Sequence, residues 1–160
     1  MIRRWRPSRQ RTEGEPVAEV LVLETAGFLD LMVGNAEGQA VGKALSGKAI
    51  HVSDHCAAAV AHAFLVMTTR GVLPRRQLRS SLSLLAVAPF ISHPAATLLE
   101  GAWARNGLRL GDALCVELSE RLGAPLVTTD SRLATAWPNC WLVTAPREMD
   151  RAGRRRGRTS

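Results

Sequence analysis

Three acidic residues stand where chain patterning expects a strand to give way to a helix, or a helix to begin. Glu24 follows the apolar run Val20-Leu21-Val22-Leu23, Asp112 lies in the first turn of an amphipathic segment opening at Gly111, and Asp130 follows Leu126-Val127-Thr128. In a parallel α/β fold, strand C-termini and the helix starts facing them share one sheet edge. Carboxylates gathered there are hard oxygen donors and suit Mg²⁺ or Mn²⁺. Taken singly, two of the three have structural roles available. An acid in a helix's first turn gains about 0.3–1 kcal/mol from the helix dipole, which would serve Asp112. Asp130 is placed to cap the helix beginning at Ser131. Glu24 has no such ready explanation, because it interrupts an apolar junction and a lone buried carboxylate is costly.

The elements that would position these acids alternate. The run Val20–Leu23 suits a central parallel strand covered on both faces. Thr25 is placed to cap the following helix, which turns Phe28, Leu29, Leu31 and Met32 inward and ends at Gly34-Asn35. A helix over about 37–45 leads to a second strand at 49–52. Ser53-Asp54 is a good N-cap pair for a long helix over 55–69, closed by Gly71. Pro74 opens a helix to about Val87, and Pro94 opens another to Arg105. A third strand is predicted at 89–92. The acidic stretch itself reads as helix 111–122, turn Gly123-Ala124-Pro125, strand 126–128 and helix 131–137, with a last strand at 141–143. Strands alternating with helices argue for an α/β sheet covered on both sides.

Composition bounds the rest. The 160 residues fit one domain. The net charge of +7 belongs to the two ends: residues 1–16 carry +3 and residues 147–160 carry +4, so the middle is neutral. We therefore expect a basic disordered arm over 1–18, an ordered domain over 19–146 and an arginine-rich disordered tail over 147–160. Such arms attract nucleic acid or acidic surfaces, or simply aid solubility. Cys56, Cys115 and Cys140 are odd in number, far apart and without a CxxC pair. Neither a disulfide framework nor a zinc site is expected, and a reducing cytoplasmic setting fits. The N-terminal arginines lack an apolar segment behind them, and no apolar run is long enough for a membrane span.

The phrases VLVLETAGFLDLMVG (20–34), GDALCVELSERLGAPLVTTDSRLA (111–134) and CWLV (140–143) resemble a PIN domain, with the nearest likeness to VapC-type toxins of bacterial toxin–antitoxin pairs. The resemblance spans residues 20–144 and implies a three-layer α/β/α sandwich with a mostly parallel central sheet. It implies a metal-dependent endoribonuclease holding Mg²⁺ or Mn²⁺ in an acidic cluster. Carried over by position, Glu24, Asp112 and Asp130 are the metal-binding and catalytic acids, and Thr128 is the small hydroxyl residue that orients them or the attacking water. The resemblance also implies an RNA substrate, a cognate antitoxin and a homodimer.

Two positions depart from the pattern. Glu24 stands where the family usually has Asp, and one extra methylene displaces a carboxylate by about 1.5 Å. Ala59 occupies the place of a family Glu on the long helix after the second strand; His55 and His62 lie on the same face at i−4 and i+3. Either histidine is a candidate replacement ligand, with a plain polar helix face as the alternative. The alternative for the whole chain is a catalytically degenerate PIN module that binds RNA or a protein without cutting. Arg70, Arg75, Arg76 and Arg79 around one helix junction, with Arg105 and Arg109 beside Asp112, are the candidate RNA-backbone contacts.

Overall fold

A computed structural model describes residues 19–146; the expected arm 1–18 and tail 147–160 lie outside the described residues. Five strands form a single sheet: β1 (Val20–Leu23), β2 (Ala49–Ser53), β3 (Ile91–His93), β4 (Leu126–Thr128) and β5 (Cys140–Leu142). Their order is β3-β2-β1-β4-β5 and every pairing is parallel, where the sequence suggested a mostly parallel sheet. β1 takes the centre because its continuous apolar run leaves no polar face: Leu21, Val22 and Leu23 are wholly buried. The edge strands β3 and β5 are short and present exposed side chains such as Ile91 and Trp141.

Among the described residues, seven helices cover the sheet: α1 (Thr25–Val33), α2 (Ala36–Leu45), α3 (Asp54–Thr69), α4 (Arg75–Val87), α5 (Leu99–Trp103), α6 (Leu110–Leu122) and α7 (Ser131–Ala136). Helix α1 packs on α2, α3 and α4, while α5 packs on α6, which lies against β1 and β2. This is the expected α/β architecture. Phe28 and Phe64 fill the core beside Leu23, Leu98, Leu118 and Leu126. Gly38 permits the tight α1–α2 contact, since a Cβ there would lie 1.9 Å from the Asp30 carbonyl oxygen. No helix among the described residues is long and apolar enough to cross a membrane.

The chain runs outward from β1 to β2 and β3, then returns to the other side of β1 to lay down β4 and β5. That reversal creates a topological switch point between β1 and β4. A crevice opens outside the carboxyl ends of the strands at such a point, and ligands bind there.

Local caps differ from the sequence expectation in three places. Glu24, not Thr25, caps α1, because its side chain accepts the Ala26 N–H. Ser53 holds the cap position of α3 without a side-chain bond, and Asp54 instead reaches across to accept the Ala95 N–H at 2.8 Å, tying α3 to the segment after β3. The single helix expected from Pro94 to Arg105 is a 3₁₀ turn over Ala95–Thr97 followed by α5. Its first turn closes tightly, with the Thr97 N–H and hydroxyl both donating to the Pro94 carbonyl.

Candidate active site

The switch point places Glu24 and Thr128 side by side, because Leu23 of β1 pairs with Val127 of β4 and each residue follows its partner. The Glu24 N–H donates to the Val127 carbonyl at 3.0 Å, which fixes the backbone. The side chain is then held at both oxygens: Oε1 accepts the Ala26 N–H at 2.9 Å and Oε2 accepts the Thr128 hydroxyl at 2.8 Å. Glu24 is only 3% exposed. Burial pushes its carboxyl up to about 7, against the two hydrogen bonds that favour the ionised form and with help from the nearby charge of Asp112.

Thr128 also accepts the Asp130 N–H at 3.0 Å, so one hydroxyl joins Glu24 to the turn that carries Asp130. Asp130 caps α7 as expected, accepting the Arg132 N–H at 2.8 Å, and its other oxygen pairs with the Arg132 guanidinium at 2.8 Å. That hydrogen-bonded ion pair holds Asp130 below the usual carboxylate range. Asp112 projects from the first turn of α6. Burial raises its carboxyl and Arg109 opposes the rise, while the charge of Asp130 adds to it. Asp112, Asp130, Arg109 and Arg132 together line a cleft of about 190 Å³.

The three sequence-predicted acids thus stand at one sheet edge, each adjacent pair within electrostatic reach. Their oxygens are hard donors of the kind a Mg²⁺ or Mn²⁺ ion takes. They are not all within 4.8 Å of one another, and the Arg132 guanidinium bonds both Asp130 oxygens, Nη2 to one at 2.8 Å and Nε to the other at 3.3 Å. Arg132 is therefore the positive charge paired with Asp130, beside Arg109 in the same cleft, and a cation shared by the acids competes with it for Asp130.

Helix α3 brings His55 to the site and leaves His62 out. His55 is half-buried within charge range of Glu24 and Asp112, whereas His62 is exposed. Ala59 is half-buried one turn beyond His55 and adds no charge. Behind the acids lie two buried thiols: Cys56 Sγ is 3.6 Å from Cys115 Sγ and 3.8 Å from His55 Nε2, and it accepts the Thr25 hydroxyl at 3.3 Å. A hydrogen bond from Cys115, together with the adjacent His55, draws the Cys56 thiol down to about 5. The same bond and complete burial push Cys115 up, so Cys56 is the thiol that ionises first.

The arginines divide. Arg109 stands in the acidic cleft as expected. Arg105 does not: its side chain is largely buried, pairs with Glu117 at 2.5 Å and with Glu120, and lies 5.3 Å from the centre of the Trp137 ring. Its charge is spent on α6 rather than offered to a ligand. Arg75 and Arg79 line an apolar groove with Leu65, Leu78 and Leu82 between α3 and α4, apart from the cleft residues. Sequence reasoning missed Arg132 and the thiol pair. Arg132 was legible as the second residue of the helix that Asp130 caps. Cys115 was legible as the residue three beyond Asp112, hence on the same helix face.

The fold and this edge define a parallel α/β domain with an acidic cleft at its switch point. The chain belongs to the PIN domain family, whose profile matches residues 21–136. It is 38% identical over 127 residues to ribonuclease VapC3 of Mycobacterium tuberculosis, a match covering 78% of this chain and 93% of that protein. The crystal structure of VapC20 from the same species, described as a sarcin-ricin loop cleaving toxin, superposes with a TM-score of 0.56 at 15% identity, over 79% of this chain and 99% of VapC20. A toxin–antitoxin complex from Klebsiella pneumoniae superposes with a TM-score of 0.54 at 16% identity, over 79% and 99% of the two chains. These two structures share the fold.

Proposed function

We propose that this chain is a metal-dependent endoribonuclease and the toxin half of a toxin–antitoxin pair. The observation that carries the reading is the convergence of Glu24, Asp112 and Asp130 on the β1–β4 switch point, with Thr128 joining two of them. The similarity to ribonuclease VapC3 supports RNA as the substrate class.

In this reading Asp112 and Asp130 would hold a divalent cation, Mg²⁺ or Mn²⁺, in place of the Arg132 guanidinium on Asp130. The Arg132 side chain is 68% exposed. When bound, the cation lowers the pKa of a coordinated water and neutralises charge developing on the phosphate. Glu24 would share in holding the cation and would orient the water. Thr128 holds one Glu24 carboxylate oxygen in place and joins it to the turn that carries Asp130. Arg109 and the released Arg132 line the approach and would meet the nonbridging phosphate oxygens.

The partners follow from the same reading: an antitoxin that covers the toxin, and a second copy of the chain. Solvent-facing apolar side chains at Leu65, Val72, Leu84, Val87 and Trp103 support surfaces that protein partners would cover.

The test is cleavage of single-stranded RNA by the purified chain in Mg²⁺ and in Mn²⁺, with a chelator control. Metal-dependent cutting is expected. RNA binding without cutting under either metal would replace this reading with a binding-only module, the outcome that the neutral Ala59 favours.

A further inference from the structure

The cysteine spacing predicts no zinc site, but the environment of the thiol pair behind the carboxylates points the other way. Two sulfurs and an imidazole converge from elements distant in sequence. His55 and Cys56 come from the first turn of α3, and Cys115 from the second turn of α6. Their ligand atoms all lie within 4.8 Å of one another, the only such group of three among the described residues. We propose that His55, Cys56 and Cys115 form a second metal site, distinct from the carboxylates and selective for a thiophilic cation of the Zn²⁺ class.

The geometry fits. Zinc–sulfur bonds of about 2.3 Å in a tetrahedron set two sulfurs about 3.8 Å apart. The Cys56–Cys115 separation is 3.6 Å, and Cys56 stands 3.8 and 3.9 Å from the two His55 nitrogens. An ion among them needs side-chain rotation and little backbone movement. Both cysteines are fully buried, and all three cysteines of the chain are free, so the sulfurs are held in place without a disulfide.

The surroundings support the ligands as an outer shell does in metal sites. The Thr25 hydroxyl donates to Cys56 at 3.3 Å, an orienting bond that a sulfur ligand retains when metallated. Gly111 clears space for the imidazole, since a Cβ there would lie 3.2 Å from His55 Nε2. The half-buried His55 is the side of the cluster nearest solvent, which gives an ion its way in.

The donor chemistry separates this site from the acidic one. Two thiolates and an imidazole suit Zn²⁺ and bind Mg²⁺ poorly, whereas carboxylates favour the harder ions. On binding, any sulfur that is still protonated releases its proton to solvent. Three protein ligands leave the fourth tetrahedral position to an exogenous ligand. The site stands whether or not the chain cleaves RNA, and its test does not use activity.

The experiment is a Co²⁺ titration of the reduced, metal-stripped full-length protein, read by sulfur-to-cobalt charge-transfer absorption, with Zn²⁺ displacing the signal. The charge-transfer band is expected to saturate at one equivalent of Co²⁺ in the wild type and in Asp130→Asn, and to be lost in Cys56→Ser and Cys115→Ser. Because a serine variant that fails to fold would also lose the signal, X-ray absorption on the Zn²⁺-loaded wild type gives a second measurement. It should show two sulfur ligands at about 2.3 Å and nitrogen at about 2.0–2.1 Å. Absence of the charge-transfer band, a purely nitrogen and oxygen zinc shell, or loss of the metal in Asp130→Asn alone would overturn the proposal.

Discussion

The Thr128 hydroxyl donates to Glu24 at 2.8 Å and has only one proton to give. Its direction is settled by Asp130, whose backbone N–H points at the same oxygen from 3.0 Å and makes it an acceptor on that side. The bond therefore runs from Thr128 to a carboxylate, and it offsets part of the cost of burying Glu24. Thr128→Val keeps the shape and removes the donor. It should cost about 1–3 kcal/mol, the range for a buried acceptor left unsatisfied. Thr128→Ser should recover most of the loss. Chemical denaturation of the three proteins without metal checks this, and a Val variant as stable as the wild type would deny the bond any role.

Glu24 also sets a pH dependence. Its carboxyl moves from an ordinary 4.5 to about 7 on folding, so between those values the folded chain binds more protons than the unfolded chain. Stability of the metal-free protein should therefore fall as pH rises through that window, by up to about 3 kcal/mol from this group. Asp112 is raised as well and adds in the same direction. Asp130, lowered by Arg132, acts with the opposite sign and at more acid pH, where its protonation costs stability. Denaturation midpoints from pH 4.5 to 7 should slope downward for the wild type and flatten in Glu24→Gln. An equal slope in both would assign the effect elsewhere.

Arg132 competes for Asp130. The arginine side of the pair is exposed, so solvent screening keeps the pair weak. Arg132→Ala should accordingly tighten Mn²⁺ binding only modestly, up to about fivefold in calorimetry, while weakening RNA binding through loss of a cation at the cleft. Unchanged or weaker Mn²⁺ binding would remove Arg132 from the role of resident counter-ion.

Gly38 tests the packing that supports α1 and hence Glu24 at its cap. The obstacle to a Cβ at this position is the Asp30 backbone carbonyl, which no rotamer change relieves. Gly38→Ala should destabilise by about 1–3 kcal/mol or more despite alanine's better helix propensity. Thermal melts suffice, and a neutral or stabilising result would show that α2 shifts freely.

Much of this site was legible in the sequence because its parts are local. A strand as apolar as Val20–Leu23 has few places to go but the sheet centre, and an acid directly after it must emerge at the carboxyl edge. The same holds for Thr128 and Asp130 after β4, and for Asp112 at the start of α6. What failed were choices between chemically similar partners. Glu24 and Thr25 both cap helices well, and the tertiary structure decides between them: the β1–β4 register hands Glu24 the Thr128 hydroxyl, and the approach of α3 hands Thr25 the Cys56 thiol. Arg105 looked available beside Asp112 until α5 folded it onto Glu117 and Trp137. The meeting of Cys56 with Cys115, 59 residues apart, depends on how α3 and α6 converge, and nothing local encodes it.

The central claim is that Asp112 and Asp130 hold the catalytic cation. Asparagine at 130 keeps the helix cap, so Asp130→Asn removes charge while sparing α7. Asp112→Asn does the same in the first turn of α6. The direct measurement is the single-turnover rate of RNA cleavage in saturating Mn²⁺ for the wild type and both variants, with folding verified by circular dichroism. A loss of about 10²-fold or more is expected in each, the scale of a misplaced group at a reacting centre. Cleavage at wild-type rates by either folded variant would contradict it.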